Sequence, residues 1–188
     1  MARLKLQMQI SIDGCNPQGG DDNTSWDEER EYSLDLLKGA DVIALGSKTA
    51  PDFIPYWDKA AEDPENSWQD VARHISRARK LVFSSSTDHP DWNNSQIETG
   101  DLADAINRLK AENAKHIIVY GGISFVRSLI RLHLVDEFHL FVNPLAMGNG
   151  KSVFSDLDGL LQLELRKSIG FRSGRVLLHY DFPGSTAG

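Results

Sequence analysis

Apolar residues along the chain follow two kinds of spacing, one typical of strands and one typical of helices. Residues 4–12 alternate apolar and polar side chains, which predicts a half-buried strand. Mainly apolar runs at 40–45, 81–83 and 117–120 predict buried strands. Between these runs, apolar residues recur every three or four positions, which is typical of amphipathic helices. The helices are predicted over residues 26–38, 68–78, 102–109 and 123–130.

In the last third of the chain, strands are no longer separated by helices. Residues 135–142 predict one strand, and residues 161–166 and 176–180 predict an antiparallel pair around a turn at Ser173-Gly174. We therefore predict an α/β fold, a three-layer sandwich whose mostly parallel central sheet carries antiparallel C-terminal strands. The acidic stretch 58–65 is expected to be an exposed connection.

The length and charge of the chain limit the kind of protein it can be. Its 188 residues suit a single domain, predicted over residues 1–183 and followed by a frayed tail at 184–188. The formal net charge of −7 argues against nucleic acid or an anionic membrane as the main partner. Since no apolar run approaches the roughly 18 residues of a membrane-spanning helix, no membrane partner is expected.

Cysteine and histidine usage points to a reducing compartment and to no metal. The single cysteine, Cys15, cannot form an internal disulfide, which predicts a cytoplasmic protein. The six histidines are scattered, and no spacing typical of a metal site occurs. The prediction is therefore that no metal is bound.

Three of the predicted strands end in small or hydroxyl-bearing residues. In an open parallel sheet, ligands bind beyond the carboxyl ends of the strands, so these turns are expected to line one crevice. Backbone N–H groups and hydroxyls suit a pyrophosphate and a ribose. The alternative is that these residues only terminate strands and cap helices. The three turns span residues 46–49, 84–87 and 121–124.

Carboxylates are concentrated at the start of the first predicted helix. Asp27, Glu28, Glu29 and Glu31 occupy its first turn, and Glu28 forms a capping box with Ser25. One of these carboxyl groups could act as a general acid if burial raised its pKa. The ordinary alternative is that they face water and interact with the helix dipole.

Two other features raise a similar choice. Asp136-Glu137 is either the polar edge of a strand or a pair facing a pocket, and we favour the strand edge. Trp26, beside the predicted cap, is the tryptophan expected near a planar ligand.

The order and spacing of these motifs resemble the dihydrofolate-reductase-like superfamily. Within it, the chain is more similar to stand-alone relatives of the reductase domain of riboflavin biosynthesis, the C-terminal domain of the bifunctional deaminase-reductase. The likeness spans nearly the whole chain. The motifs are SIDG (11–14), a Trp-Asp helix start (26–27), DVIALGSKT (41–49), YW (56–57), KLVFSSS (80–86), IIVYGG (117–122), LVDEFHLFVNPLAMGNGKSVF (134–154) and VLLHY (176–180).

This resemblance implies a reductase that passes a hydride from a reduced nicotinamide cofactor, usually NADPH, to a small heterocyclic substrate. Asp27 is the nearest match to the acidic residue at the helix start, so the implied proton donor is Asp27 or water. The adenosine and phosphate side of the cofactor would meet Gly46, Ser47, Lys48 and Thr49, and the adenine ribose would meet Ser84, Ser85 and Ser86. The pyrophosphate would meet Gly121, Gly122, Ile123, Ser124 and Phe125, and the nicotinamide and substrate would border Asp13, Gly14 and Trp26.

Two departures from the family pattern leave alternatives open. The second turn often reads Gly-Arg-x-Thr in the family, whereas Ser47 stands at the arginine position, so NADH is not excluded as the cofactor. Lys48, or an arginine from another segment, could bind the 2′-phosphate of NADPH in place of that arginine. No segment supplies a basic cluster for a ribose-phosphate, so the riboflavin intermediate 5-amino-6-(5-phosphoribosylamino)uracil is only a nominal substrate.

Alternative functions are a dihydrofolate reductase and a non-catalytic nucleotide-binding relative. The resemblance also implies a homodimer, with a small-molecule substrate as the other partner.

Overall fold

The structure is a computed structural model that describes residues 1–17, 27–86, 91–112, 115–150 and 152–186, except for the side chains of residues 27, 28, 185 and 186. Its strands are β1 (Leu4–Ser11), β2 (Ala40–Gly46), β3 (Arg79–Phe83), β4 (Ser95–Glu98), β5 (His116–Gly121), β6 (Glu137–Asn143), β7 (Glu164–Gly170) and β8 (Val176–Asp181). Its helices are α1 (Asp27–Lys38), α2 (Ala50–Glu62), α3 (Gln69–Arg77), α4 (Leu102–Glu112) and α5 (Ile123–Arg131), with a 3-10 turn at Pro183–Thr186. None of the described helices is long and apolar enough to cross a membrane.

The eight strands form a sheet in the order β4-β3-β2-β5-β1-β6-β8-β7. β3 pairs in parallel with both β2 and β4, and β1 pairs in parallel with β6. β8 is antiparallel to both β6 and β7. The prediction of an α/β fold with a mostly parallel sheet and antiparallel C-terminal strands is therefore confirmed.

The chain forms two compact units. Unit 1 comprises Met1–Ala2 and Trp26–Ile118, and unit 2 comprises Arg3–Ser25 and Val119–Gly188. The expectation of one domain over residues 1–183, with a frayed tail at 184–188, stays a prediction.

Unit 1 is built on strands whose interior side chains are apolar. Val42, Ile43, Ala44 and Leu45 of β2 are almost completely buried, and β3 continues the pattern with Val82. The helix predicted over residues 68–78 is α3, which buries its apolar stripe. Because burial of a large apolar side chain stabilises a fold by about 1.5–3 kcal/mol, these local runs hold unit 1 together.

The acidic stretch 58–65 is the predicted exposed connection only from residue 63 onwards. α2 continues through this stretch to Glu62, although Pro55 lies inside the helix. The helix persists because Ile54 and Ala60 are buried on one side, so tertiary packing outweighs the local preference of the sequence.

Unit 2 contains strands with one apolar and one polar face. Leu6 and Met8 of β1 are register neighbours of Phe138 and Leu140 of β6, and all four side chains are buried. This is the burial that the alternating pattern at residues 4–12 predicts. The opposite face carries the polar residues of the same strands, and several of those are buried as well. They are Gln7, Ser11, Glu137, His139 and Asn143.

Asp136 and Glu137 do not form the polar strand edge that their sequence favours. β6 lies between β1 and β8 and is an interior strand. Asp136 Oδ2 accepts a hydrogen bond from the Leu4 N–H at 2.6 Å. Glu137 is buried and forms ion pairs with Lys5 at 3.2 Å and with Arg3 at 2.9 Å. The pair is thus held by β1 residues that are far away in sequence.

The closing antiparallel pair is confirmed, with a shifted first strand. β7 begins at Glu164, so the alternating residues 161–163 precede it instead of opening it. A period of two indicates extended backbone, but it does not show whether a neighbouring strand pairs with it. Gly174, in the predicted turn, has a φ of +83°, a value that favours glycine.

Candidate cofactor and substrate site

The turns that follow β2 and β3 lie side by side in unit 1. Gly46 and Phe83 are register partners at the ends of these strands. The Ser47 N–H donates a hydrogen bond to the Phe83 carbonyl at 3.0 Å, and the Thr49 N–H closes its own turn onto the Gly46 carbonyl at 3.0 Å. The predicted site residues 46–49 and 84–86 are therefore brought together at the carboxyl edge of two parallel strands.

The side chains at this edge offer hydroxyl groups and one ammonium group. Lys48, Ser85 and Ser86 are exposed. The backbone N–H of Ser84 donates to the Glu98 carbonyl at 3.0 Å, and that of Ser86 donates to the Ser84 hydroxyl at 3.1 Å. Because these backbone groups are occupied, a ligand would meet mainly the hydroxyls and the Lys48 ammonium.

The Gly121-Gly122 turn leads from β5 into α5 in unit 2. Gly121 has a φ of +148°, which favours glycine, and its peptide bond to Gly122 is cis. A Cβ atom on Gly121 would meet no atom within 4 Å, so the space beside it is open. Gly122 is the N-cap of α5, and its carbonyl accepts the Val126 N–H at 2.9 Å. Open space beside a helix N-terminus suits an anionic group.

Asp13 connects the end of β1 to a distant loop. Its Oδ2 accepts the N–H groups of Gly148 at 2.9 Å and Met147 at 3.2 Å, and the Ser11 hydroxyl donates to its Oδ1. The Ser11 hydroxyl, and then the Gly148 and Met147 N–H groups, lower the pKa of Asp13 to about 2. Asp13 is therefore ionised at neutral pH and holds the 145–150 loop in place, which makes it unsuited to donate a proton.

Gly14 fits a position where no side chain could be accommodated. Its φ is +75°, and a Cβ atom there would lie 2.6 Å from the Ser152 Oγ. The Gly14 carbonyl accepts the Val153 N–H at 2.8 Å. Arg127 of α5 donates its Nε–H to the Ser152 carbonyl at 3.0 Å. The loop at 11–14 and helix α5 are thus joined through residues 152–153.

The helix predicted after Trp26 begins at Asp27, so the first turn of α1 is where the sequence places it. Trp26 and the Asp27 side chain lie outside the described part of the chain, and their roles stay predictions. Glu31 faces water as expected, but Glu29 does not, because it is only 2% exposed. Glu29 shares its helix face with the buried Ser33, and because both residues are polar the sequence carried no signal for this burial.

Sequence reasoning also missed the partners of Asp13 and Gly14. Met147 lies 134 residues from Asp13, and its loop is recognisable in the sequence only as a loop. In unit 2 the structure therefore connects the SIDG motif, the 145–153 segment and α5. In unit 1 it connects the turns after β2 and β3. Convergence of all these turns on one dinucleotide stays a prediction.

The strand order, the parallel pairing and the glycine turn that opens α5 define a riboflavin-pathway reductase-like fold. The chain belongs to the family described as the RibD C-terminal domain, which matches residues 2–177. The resemblance stated from the sequence motifs is thereby confirmed.

Individual proteins match nearly the whole length of the chain. The chain is 29% identical over 185 residues to the protein YyaP of Bacillus subtilis (strain 168), covering 97% of this chain and 96% of YyaP. Among solved structures, it is similar to the riboflavin biosynthesis reductase Rib7 of Saccharomyces cerevisiae. That match has a TM-score of 0.59 and 16% identity, and it covers 96% of this chain and 89% of the other.

A bifunctional enzyme shares the fold over part of its length. The diaminohydroxyphosphoribosylaminopyrimidine deaminase/5-amino-6-(5-phosphoribosylamino)uracil reductase of Thermotoga maritima matches with a TM-score of 0.67 and 15% identity. The match covers 96% of this chain but only 56% of the Thermotoga chain. At this level of identity the similarity shows the fold alone.

Proposed function

We propose that the protein is an NAD(P)H-dependent oxidoreductase that transfers a hydride to a small heterocyclic substrate of the riboflavin-pathway type. The observation that carries this proposal is the hydrogen bond between Ser47 and Phe83. It sets two hydroxyl-bearing strand ends side by side at the edge where nucleotides bind in parallel sheets. Family membership and the reductases among the similar structures support the same activity.

NADPH is the proposed cofactor, with NADH as the alternative. Lys48 is exposed in the turn where the family pattern has an arginine at the preceding position. An ammonium group can meet a 2′-phosphate as a point charge, although without the paired geometry of a guanidinium. In this arrangement residues 46–49 meet the adenosine side and residues 84–86 meet its ribose. The open space at Gly121 and the N-terminus of α5, residues 122–125, suit the pyrophosphate.

Hydride transfer requires two contributions from the protein: it must orient the cofactor and the substrate, and it must supply a proton to the substrate or admit water that does so. A bound nicotinamide cofactor would supply the hydride, so the chain needs no nucleophile of its own. Asp13 holds the 145–150 loop in place, and Asp27 is the proposed proton donor, with water as an alternative. Glu29 is a further candidate because it is buried on the same helix.

Titration with NADPH and NADH, followed by nicotinamide fluorescence, tests the proposal. We expect saturable binding of at least one cofactor. Gly121→Val should weaken it, because the valine side chain would fill the open space and disfavour the backbone conformation. Gly159→Val is a matched control, because a Cβ atom on Gly159 also meets nothing within 4 Å and Gly159 lies outside the proposed site. Absence of saturable binding at millimolar concentrations would contradict the proposal.

Two other functions fit the same fold and can be separated by experiment. A dihydrofolate reductase requires that methotrexate raise the melting temperature and that Asp27→Asn abolish dihydrofolate reduction. A non-catalytic nucleotide-binding protein would bind the cofactor but not oxidise it with any pterin, pyrimidine or quinone substrate. The nominal substrate 5-amino-6-(5-phosphoribosylamino)uracil should be assayed first, because the Thermotoga enzyme carries its name.

We also propose that the protein is a cytoplasmic homodimer with no nucleic-acid partner. The single cysteine, Cys15, and the net charge of −7 support the compartment and the absence of nucleic acid. The homodimer rests on the family resemblance. Sedimentation equilibrium tests it directly, and a monomer mass at micromolar concentration would contradict it.

A further inference from the structure

Two buried polar atoms on β8 of unit 2 contact charged side chains but make no hydrogen bond of ordinary geometry among the described residues. They are the Nε2 of His179 and the Oδ1 of Asp181, both on β8. They lie 3.7 Å apart. Their charged neighbours are Glu137 Oε2, at 3.3 Å from His179 Nε2, and Arg3 Nη2, at 3.2 Å from Asp181 Oδ1.

The side chains beside these atoms are also good metal ligands. His139 lies opposite His179 in the β6–β8 register. Glu137 is two residues before His139, so its side chain lies on the same face of β6. Glu137 Oε2 lies 3.1 Å from His139 Nε2 and 3.3 Å from His179 Nε2. One ligand atom from each of the three side chains lies within 4.8 Å of the others.

We propose that Glu137, His139 and His179 form a binding site for a divalent transition metal ion, zinc foremost, with Asp181 or water at the fourth position. Ligands at about 2.0–2.1 Å from a tetrahedral zinc ion are roughly 3.3 Å from one another, which is close to the two separations measured from Glu137 Oε2. Two imidazole nitrogens with a carboxylate oxygen are a donor set that zinc prefers. Such an ion would also give His179 Nε2 a partner at bonding distance, and would do the same for Asp181 Oδ1 where Asp181 takes the fourth position.

The protonation states of these residues suit metal binding. Burial lowers the pKa of His139, against the opposing effect of Glu137, so the imidazole is neutral at pH 7. Burial opposes ionisation of Glu137, but its contacts with His139 and His179 and the charges of Lys5 and Arg3 hold its pKa well below the ordinary value. Neutral imidazole and ionised carboxylate are the forms that coordinate metals.

Lys5 is the main competitor for the proposed ion. Its Nζ lies 3.2 Å from the same Glu137 Oε2 that a metal would use. The Lys5 side chain is 14% exposed, so the ammonium can swing towards solvent when a cation arrives. Arg3 contacts the other carboxylate oxygen, Oε1, at 2.9 Å and Asp181 Oδ1 at 3.2 Å. It can therefore remain in place where water is the fourth ligand, and it must release Asp181 where Asp181 is. Removing the Lys5 charge should therefore strengthen metal binding.

The proposed ion would have a structural role. Glu137 begins β6, and the far end of that strand, Asn143, is about 20 Å away at 3.3 Å per residue. Asn143 is the register partner of Ser11 at the end of β1, and Asp13 and Gly14, proposed to border the substrate, follow that end. The ion would clamp β6 to β8. The proposal opposes the expectation of no metal from sequence spacing, because His139 and His179 lie far apart in sequence and meet only through strand pairing.

The test is titration of the tag-free protein with Zn²⁺ by calorimetry and with Co²⁺ by visible absorption. We expect one saturable site per chain, a tetrahedral Co²⁺ spectrum and a higher melting temperature with Zn²⁺. His139→Gln and His179→Gln should each weaken binding by at least about tenfold, as loss of a ligand exceeds the effect of losing a supporting contact. His74→Gln, on the exposed surface of α3, is the matched control and should change nothing.

Lys5→Met distinguishes this site from adventitious histidine binding, since it should tighten Zn²⁺ binding. If His139→Gln fails to fold, the half-buried His179 still provides a variant for the test. The absence of saturable binding at micromolar Zn²⁺ would overturn the proposal. So would binding that persists unchanged in His179→Gln. None of these measurements depends on enzymatic activity, so failure of the proposed reductase function would leave their outcome unaffected.

Discussion

Units 1 and 2 bury different kinds of side chain on their strands. β2 of unit 1 buries an uninterrupted apolar run from Val42 to Leu45. β6 of unit 2 alternates buried apolar residues with buried Glu137, His139 and Asn143. Asn143 donates to Gln9 at 3.1 Å and accepts from Arg175 at 2.8 Å. The comparison shows that unit 1 is stabilised mainly by burial of apolar side chains, whereas unit 2 is stabilised by specific hydrogen bonds and ion pairs as well.

The largest expected effect comes from breaking the polar pairing of unit 2. Glu137→Gln should lower the free energy of unfolding by about 3–5 kcal/mol, because it leaves Lys5 without its buried carboxylate partner, whereas Arg3 keeps its contact with Asp181 at 3.2 Å. Urea denaturation measures this loss. Glu164→Gln is the control, since Glu164 forms an exposed ion pair with Arg166 and should cost less than about 1 kcal/mol. Equal effects of the two substitutions would refute the contrast between the units.

Acidification should destabilise unit 2 through His139. Burial lowers the pKa of this imidazole in the folded protein, so the unfolded chain binds the proton more readily. The stability that His139 contributes is present above the unfolded-state pKa of about 6.5 and is lost as the pH falls towards the folded-state value. We expect the free energy of unfolding to fall between pH 7.5 and 5.5, and to fall less in His139→Gln. An unchanged slope in that variant would contradict the assignment.

A buried charge in unit 1 should matter far less. Lys80 is fully buried, and its ammonium donates to the Ser76 carbonyl. That carbonyl also accepts the Nδ2 groups of Asn93 and Asn94 at 3.3 Å each, so it remains bonded without the lysine. Lys80→Met should therefore change stability by less than about 1 kcal/mol or increase it, because a matched apolar side chain removes the desolvation cost. A loss of more than about 3 kcal/mol in urea denaturation would show that unit 1 also depends on a buried ion.

The smallest effect is expected at the exposed edge of unit 1. Lys48→Met should weaken NADPH binding by about two- to fivefold, the range for an exposed charge pair, and leave NADH binding unchanged. Fluorescence titration of both cofactors measures the difference. An equal effect on both would show that Lys48 does not contact the 2′-phosphate.

The same contrast explains which parts of the fold could be predicted. The strands of unit 1 and the stripe of α3 were recognisable because their signals lie within a few adjacent residues. The continuation of α2 past Pro55 could not be predicted from the sequence, because the burial of Ile54 and Ala60 depends on neighbouring elements. The burial of Glu137 was equally hidden, since its partner Lys5 lies at the other end of the chain.

The candidate site shows the same division. The adjacency of residues 46–49 and 84–86 followed from a general rule about parallel strand ends, and the Ser47–Phe83 hydrogen bond confirms it. The bonds that Asp13 makes to the loop at Met147 could not be read from the sequence, because they join segments 134 residues apart. Glu29 was recognised as a carboxylate in the first helical turn, but its burial depends on how α1 packs.

The outermost strand of unit 2 has a consequence for behaviour at high concentration. β7 is exposed along nearly its whole length, and its pairing with β8 is irregular between Leu165 and Lys167. The irregularity makes Arg166 an extra residue in the outermost strand, and both bulges and positive charges hinder the addition of a further strand at a sheet edge. Growth of the sheet from one molecule into the next is thereby discouraged. Concentrated samples should resist fibril formation, and straightening the strand by deleting Arg166 should make thioflavin-positive aggregates appear sooner.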